Sequence, residues 1–150
     1  MTAIPNKSDG DVLSAPNLFK FVDETVTRVY VGSPGIASES TLLSMTVPAN
    51  TVQSGAMINA TAIVWSGPHA GSWVKFNLKT GSPTNETTRF TYQTSDNYIP
   101  YVVGGMAVPI ICFDKAADYT KDVNILVTGQ MQALEPVSYL SGAQLIVFGV

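Results

Sequence analysis

The stretch Glu39–Trp65, ESTLLSMTVPANTVQSGAMINATAIVW, contains two apolar strand patterns on either side of a polar turn. No Asp, Glu, Lys or Arg occurs from Ser40 to Val74. This region therefore offers neither carboxylates nor amines for acid–base or metal chemistry, and we expect it to act through packing and backbone hydrogen bonds. We interpret it as a sheet-forming scaffold.

The rest of the chain continues this pattern. From Thr27 onward, short β-like runs are separated by Gly, Pro, Asn and Ser, which is typical of a sandwich or barrel. About eight strands, the number in a jelly roll, are predicted near Thr27–Val31, Thr41–Val47, Ala56–Trp65, Trp73–Lys79, Thr87–Gln93, Ala107–Phe113, Val123–Met131 and Gln144–Phe148. The predicted fold is all-β, a single jelly-roll-like antiparallel β-sandwich with a short N-terminal helix or arm.

The predicted strands differ in whether one face or both faces must be covered. Polar and apolar residues alternate from Trp73 to Lys79, which indicates one wet and one buried face. Val108–Phe113 and Leu145–Phe148 are apolar on both faces. We expect another sheet, a loop or a neighbouring subunit to cover them.

The N-terminal part differs from the sandwich. Residues 1–26 are predicted to be a tail and attachment segment, and residues 27–150 the sandwich domain. Ser14 and Pro16 can start a helix whose face is Leu18, Val22 and Val26. An extended arm is the alternative, because aromatic side chains interrupt the helical pattern. In either form an apolar segment beside a polar tail is suited to ordering against another subunit, and the expected contacts are Leu18, Phe19, Phe21 and Val22.

Composition excludes several functions. Charged residues make up 13% of the 150 residues, about half the usual share. Such a surface fits contact with other subunits, or simply the Ser and Thr content of many β proteins. The net charge is −3, and the eight Lys and Arg form no basic stripe, so we expect no nucleic-acid binding. Secretory-signal and membrane-spanning patterns are both missing, so we expect no membrane partner.

Catalytic residues are sparse. His69 lies in a small polar turn, Cys112 lies in the apolar run VPIICF, and no GxSxG motif occurs, so we predict that the protein is not an enzyme and uses no cofactor. Asp114, Asp118 and Asp122 are a weak calcium candidate, but Lys115 and Lys121 can pair with the same carboxylates. The alternative is a solvated loop and no metal.

Aromatic residues support a second function class. A carbohydrate- or receptor-binding module would use side chains that combine apolar area with a polar tip. Candidate contacts for a glycan or receptor are Trp65, Trp73, Tyr92, Tyr98 and Tyr101.

The sequence also resembles a known group of proteins. TLLSMTVPANTVQSGAMINATAIV, WVKFNL, DVNILVTGQ and GDVLSAPNLFKF resemble segments of the jelly-roll domains of bacteriophage tail-fibre, head-fibre and minor structural proteins. Residues Gly81 to Gly105 match nothing in that pattern. A long repetitive shaft is missing too, so the resemblance implies a compact decoration, cement or attachment protein.

The resemblance also implies partners. It suggests a homotrimer in the virion, made in the host cytoplasm and docked on the major capsid or tail protein. Edge strands that must be covered agree with this in outline. A small-virus capsid protein is a further alternative, which the lack of a basic arm disfavours.

Overall fold

The computed structural model describes residues 20–23, 28–31, 35–36, 38–52, 55–65, 73–94, 106–133 and 138–149. All regular elements within these ranges are strands, and their pairings are antiparallel. The described part of the chain holds no helix long and apolar enough to cross a membrane.

Seven strands of eight residues or more form the body of the fold, and three shorter strands precede them. The short strands are β1 Lys20–Asp23, β2 Arg28–Val31 and β3 Gly35–Ile36. The long strands are β4 Ser40–Val47, β5 Ala56–Trp65, β6 Val74–Ser82, β7 Asn85–Gln93, β8 Met106–Asp114, β9 Val123–Ala133 and β10 Ser138–Gly149.

The strands form two sheets that pack as a sandwich. The first sheet has the order β1-β10-β5-β8, and β2 pairs with the same strand β10. The second sheet has the order β3-β9-β6-β7, and β4 also pairs with β9. β1 pairs with Leu145–Phe148 and β2 with Ser138–Ser141, so the two short strands follow successive halves of β10.

The pairing is that of one long hairpin rolled up. β6 pairs with β7, β5 with β8, β4 with β9 and β2 with β10, so each pair encloses the one before it along the chain. Successive pairs lie alternately in the second and first sheets. Rolling then brings β10 beside β5 and β9 beside β6. This arrangement confirms the predicted jelly-roll-like sandwich.

The core lies between the sheets. Buried residues alternate with more exposed ones along β5 and β8, as the pleat requires. The largest fully buried side chains are Phe76, Leu42, Leu43, Ile58, Leu78, Ile110, Ile125, Met131, Leu140, Leu145, Val47 and Val64.

A glycine allows the two sheets to approach closely. Gly142 lies at a bulge in β10, where the register with β5 shifts between Gly142 and Gln144. An added Cβ would lie 2.7 Å from the carbonyl oxygen of Leu42 and would overlap the side chain of Leu43. The absence of a side chain here lets β4 pack on β10.

The eight predicted strands all have counterparts, and Ala56–Trp65 has the predicted bounds. β10 begins at Ser138 rather than Gln144, because the bulge at Gly142 hides the strand pattern. The predicted helix is wrong for Lys20–Asp23, which forms β1, because pairing with β10 outweighs the local helical pattern. Leu18 and Val26 lie outside the described residues.

Candidate functional site

The outer face of the first sheet is apolar across three strands. Met57 on β5 pairs in register with Phe148 on β10 and with Phe113 on β8. The next row pairs Asn59 with Ile146 and Ile111. We call these outward residues the apolar face: Met57, Asn59, Ile111, Phe113, Ile146 and Phe148.

The apolar face is open to water. Ile111 is 62% exposed, Phe113 43% and Met57 39%. β5 and β10 contain no charged residue, and Asp114 of β8 is buried. Charged residues adjoin both ends of the row Phe148, Met57 and Phe113. Lys20 of β1 pairs in register with Phe148, and the Lys115 Nζ lies 5.1 Å from the centroid of the Phe113 ring. Exposed apolar residues that adjoin in this way mark an interaction surface.

The outer face of the second sheet is polar by contrast. The carboxylate of Glu39 accepts hydrogen bonds from Thr128 Oγ1 at 2.5 Å, Asn77 Nδ2 at 2.7 Å and Lys79 Nζ at 2.9 Å. Burial alone would raise the pKa of Glu39, but the hydrogen bonds and the Lys79 charge outweigh it and hold the pKa at about 2. The outer face of the second sheet therefore carries charges and side-chain hydrogen bonds, whereas the six residues of the apolar face are uncharged.

A buried carboxylate joins the two sheets at one end of the sandwich. Asp114 of β8 is 2% exposed. Its Oδ2 accepts hydrogen bonds from Thr80 Oγ1 at 2.6 Å and from the Tyr119 hydroxyl at 3.1 Å. Its Oδ1 accepts one from the Ala116 amide at 2.9 Å and lies 3.5 Å from Arg89 Nε. Donors of the protein thus occupy both oxygens.

The same cluster shapes a shallow pocket. Burial and the Asp114 charge raise the pKa of the Tyr119 hydroxyl. The backbone carbonyl oxygen of Tyr119 accepts a hydrogen bond from the Asn50 amide. Asn50 has the left-handed φ of 58° in the turn after β4, a conformation that Asn tolerates. The pocket between this turn and the loop after β8 has a volume of about 360 Å³ and is lined by Asn50, Val52, Lys115, Ala117, Asp118, Tyr119 and Thr120.

The three aspartates of the calcium hypothesis have separate roles. Asp114 is buried in the cluster above, Asp118 accepts hydrogen bonds from Thr120, and Asp122 accepts one from the Ala49 amide at 2.8 Å. In the described ranges no three His, Cys, Asp or Glu side chains are grouped so that they could hold a metal ion. The structure does not bring these carboxylates together as ligands.

The environment of Cys112 does not favour nucleophilic chemistry. Cys112 is half-buried at the margin of the core, and burial together with the Asp114 charge raises the pKa of its thiol. A raised pKa disfavours the thiolate that a nucleophile needs. His69 lies outside the described residues.

The structure places part of the predicted contact residues. Phe21 and Val22 lie in β1, in register with Val147 and Ile146 of β10. Leu18 and Phe19 lie outside the described residues. The attachment role of these four residues stays a prediction.

The described residues include three of the five aromatic candidates. Trp65 is the last residue of β5. Trp73 is half-buried, and its backbone carbonyl oxygen accepts a hydrogen bond from the Gln132 amide. The Tyr92 ring stacks on buried Phe76, with 6.4 Å between the ring centroids. Tyr98 and Tyr101 lie outside the described residues, so glycan or receptor contact stays a prediction.

Sequence reasoning missed the apolar face as a unit. It identified Val108–Phe113 and Leu145–Phe148 as strands needing cover, but Met57 appeared simply as part of a strand pattern. The face would have been found from the strand register. When β5 is aligned with β8 and β10, Met57 lies between Phe148 and Phe113. Register between distant strands cannot be read from local pattern.

The fold defines a class, the two-sheet jelly-roll sandwich, and solved structures share it. The structure of infectious bursal disease virus Gx strain matches with a TM-score of 0.51 and 10% identity, covering 99% of this chain and 36% of that chain. The structure of the Gt strain matches with a TM-score of 0.52 and 13% identity, covering 99% and 37%. The crystal structure of the infectious bursal disease virus VP2 subviral particle has a TM-score of 0.45 and 14% identity, covering 87% of this chain and 32% of that chain.

The two strain structures, with TM-scores of 0.51 and 0.52, show that the fold is shared. The chain spans just over a third of the length of the chains in the two strain structures. A scan against protein-family models finds no match, and neither does a search of curated proteins.

Proposed function

We propose that this chain is a non-enzymatic structural protein of a virus particle, that it resides in the virion, and that it associates with further copies of itself. The observation that carries the proposal is the likeness of the whole sandwich, over 99% of the chain, to parts of chains in two structures of one virus. An exposed apolar face without charge agrees with a protein that works by contact between subunits.

The arrangement of polar groups favours a structural role. The Asp114 carboxylate is used in joining β8 to β6, β7 and the following loop. In the described residues each buried side-chain nitrogen or oxygen has a hydrogen-bond partner. Polar groups that are all committed to each other stabilise a scaffold and leave none ready to activate a substrate.

The more specific role in the proposal is a decoration (cement) protein of the capsid, or a head- or tail-appendage component, of a bacteriophage. Its support is the resemblance of the Val47–Thr51 turn and its two flanking strands to jelly-roll domains of phage virion proteins. The proposed assembly is a homotrimer docked on the major capsid or tail protein. The low charge of β4, β5 and β10 suits contact with neighbours at many repeated positions, where modest contacts add up.

The first test is the assembly state of the full chain. Native mass spectrometry and negative-stain electron microscopy of the purified protein at micromolar concentration separate the alternatives. Discrete trimers support the decoration or appendage role. Closed shells support the alternative of a capsid shell protein, and a monomer at all concentrations contradicts self-association.

The second test concerns attachment by the N-terminal segment. Deleting residues 1–19 removes Leu18 and Phe19 but keeps β1, whereas deleting residues 1–23 also removes the pairing of β1 with β10. We expect the shorter deletion to leave the fold intact and to abolish incorporation into particles. Normal incorporation of both truncated proteins would contradict the attachment role.

A further inference from the structure

We propose that residues 9–13 of this chain pack on the apolar face of its own first sheet. The central row of that face is Phe148, Met57 and Phe113, one residue from each of three adjacent strands. Residues 9–13 belong to the N-terminal segment 1–19, which lies outside the described residues. The inference goes beyond the proposed function and does not depend on self-association, because it concerns a contact within one molecule.

The apolar face leaves surface in water that a further segment would bury. Phe113 is 43% exposed and Met57 39%, and Ile111 in the next row is 62% exposed. All three lie within strands rather than in loops. Removal of apolar surface from water is favourable in proportion to its area. Large apolar side chains that stay exposed beside one another mark a contact surface.

The charges beside the face indicate the chemistry of its occupant. Lys20 of β1 pairs in register with Phe148, and the Lys115 Nζ lies 5.1 Å from the centroid of the Phe113 ring. A lysine therefore stands at each end of the central row. A second copy of the same face would bring lysines together, which is unfavourable. The matching occupant combines apolar side chains with carboxylates.

Residues 9–13, Asp-Gly-Asp-Val-Leu, have this composition. Asp9 and Asp11 are the only charged residues from Ser8 to Phe19, and the apolar Val12 and Leu13 follow them directly. In an extended segment every second side chain lies on the same side. Asp11 can then meet a lysine while Leu13 packs on the apolar row.

The chain enters the first sheet at one end of the central row. β1 begins at Lys20, opposite Phe148, so the preceding residues start there. Lys115 follows β8, which is three strand spacings from β1, or ~14 Å at ~4.8 Å per spacing. The connecting residues 14–19 span up to ~20 Å when extended. Residues 9–13 are therefore within reach of Phe113 and Lys115.

Covalent connection favours this segment over a separate partner. A short linker holds residues 9–13 near the face at an effective concentration on the order of millimolar. An acidic segment of another molecule would need a similar free concentration to compete. The position of Lys20 and the charges of the segment thus select the same occupant.

Oxidation of Met57 by hydrogen peroxide tests the contact, because the oxidation rate of a methionine follows its exposure. Mass spectrometry of peptides separates Met57 from the other methionines. Deletion of residues 1–13 keeps β1 and should raise the oxidation rate of Met57 at least about threefold. Met45 on β4 of the second sheet is the internal reference, and its rate should be the same in both proteins.

Charge exchange in the full chain tests the recognition by lysine. The double variant Asp9→Lys/Asp11→Lys should raise the oxidation rate of Met57 by up to about fivefold, the range for loss of one exposed ion pair. Adding Lys115→Glu should restore the wild-type rate. The matched control adds Lys121→Glu instead, at an exposed lysine of the same loop, and should restore nothing. Circular dichroism verifies that each variant is folded.

Two results would overturn the proposal. If the folded deletion variant and the wild type oxidise at Met57 equally fast, residues 9–13 do not pack on the face. If protection of Met57 in the wild type disappears on dilution, the occupant comes from another molecule. Neither result decides the proposed self-association, which native mass spectrometry measures separately.

Discussion

Asp114 on β8 accepts a hydrogen bond from Thr80 on β6 across the sandwich, with 2.6 Å between Oδ2 and Oγ1. Thr80 Oγ1 in turn accepts one from Arg89 Nε of β7 at 2.8 Å. A strand of the first sheet is thereby fixed to two strands of the second. Since Phe113 precedes Asp114, the same bond holds the end of the apolar face in position.

We expect Asp114→Asn to destabilise the fold by about 2 kcal/mol, because hydrogen bonds to a buried charged group are stronger than neutral ones and Arg89 loses its counter-charge. Urea unfolding followed by circular dichroism measures this. The control is Asp118→Asn in the exposed part of the same loop, for which we expect a change within about 0.5 kcal/mol. Equal effects of the two variants would show that the Asp114 cluster contributes little.

Gly142→Ala tests the close approach of the sheets. The new methyl group would overlap Leu43 and crowd the Leu42 carbonyl, so β4 and β10 must separate. We expect a loss of about 1 to 3 kcal/mol, seen as a lower urea midpoint with an unchanged slope. Ser44→Thr adds one methyl group at an exposed position of β4 and should be nearly neutral. Wild-type stability of Gly142→Ala would mean that the sheets are less closely packed there.

Thr84→Gly should stabilise the protein. Ser82 and Asn85 pair in register, so Pro83 and Thr84 form the turn between β6 and β7. Thr84 has a φ of 82°, which is unfavourable for a β-branched residue and free of strain for glycine. We expect a gain of up to about 1 kcal/mol in thermal unfolding experiments. Thr87→Gly, in the neighbouring strand, should instead lower stability, and a similar loss in both variants would refute the turn argument.

Stability should decline in acid partly through Glu39. Its folded pKa of about 2 lies below its unfolded-state pKa of 4.5, so its contribution is complete above pH 4.5 and is lost as the pH falls towards 2. Unfolding of Glu39→Gln should therefore depend less on pH across this window than unfolding of the wild type. Lys79→Met should move the wild-type decline to higher pH, whereas Lys75→Met removes a charge from the same strand and should not. Parallel wild-type and Glu39→Gln curves would exclude this role of Glu39.

Much of the fold follows from local sequence. Strands in which polar and apolar residues alternate, such as β5 and β6, can be predicted because one face must meet the core. Turn residues mark the strand ends: Pro48 lies between β4 and β5, and Pro83 between β6 and β7. The β10 start and the β1 strand were missed because each depends on a partner far away in the chain. The bulge at Gly142 is a shift in register against β5, and local sequence does not show it.

The candidate site was less predictable than the fold. The sequence shows that β8 is apolar on both faces, but not that its outer residues align with Met57 and Phe148. The cluster around Asp114 was likewise hidden, because Thr80, Arg89 and Tyr119 come from three different segments. Spatial convergence of residues distant in sequence is decided by the rolled pairing of the strands.

The nesting of the strand pairs affects synthesis of the protein. β10 separates β2 from β5 within the first sheet, so a nascent chain that still lacks β10 has no partner for its first two strands. Pairings between such distant segments form late and slowly. Until the ribosome has released Ser138–Gly149, the edge of β5 that pairs with β10 stays unpaired, and a chaperone has its longest opportunity to bind there.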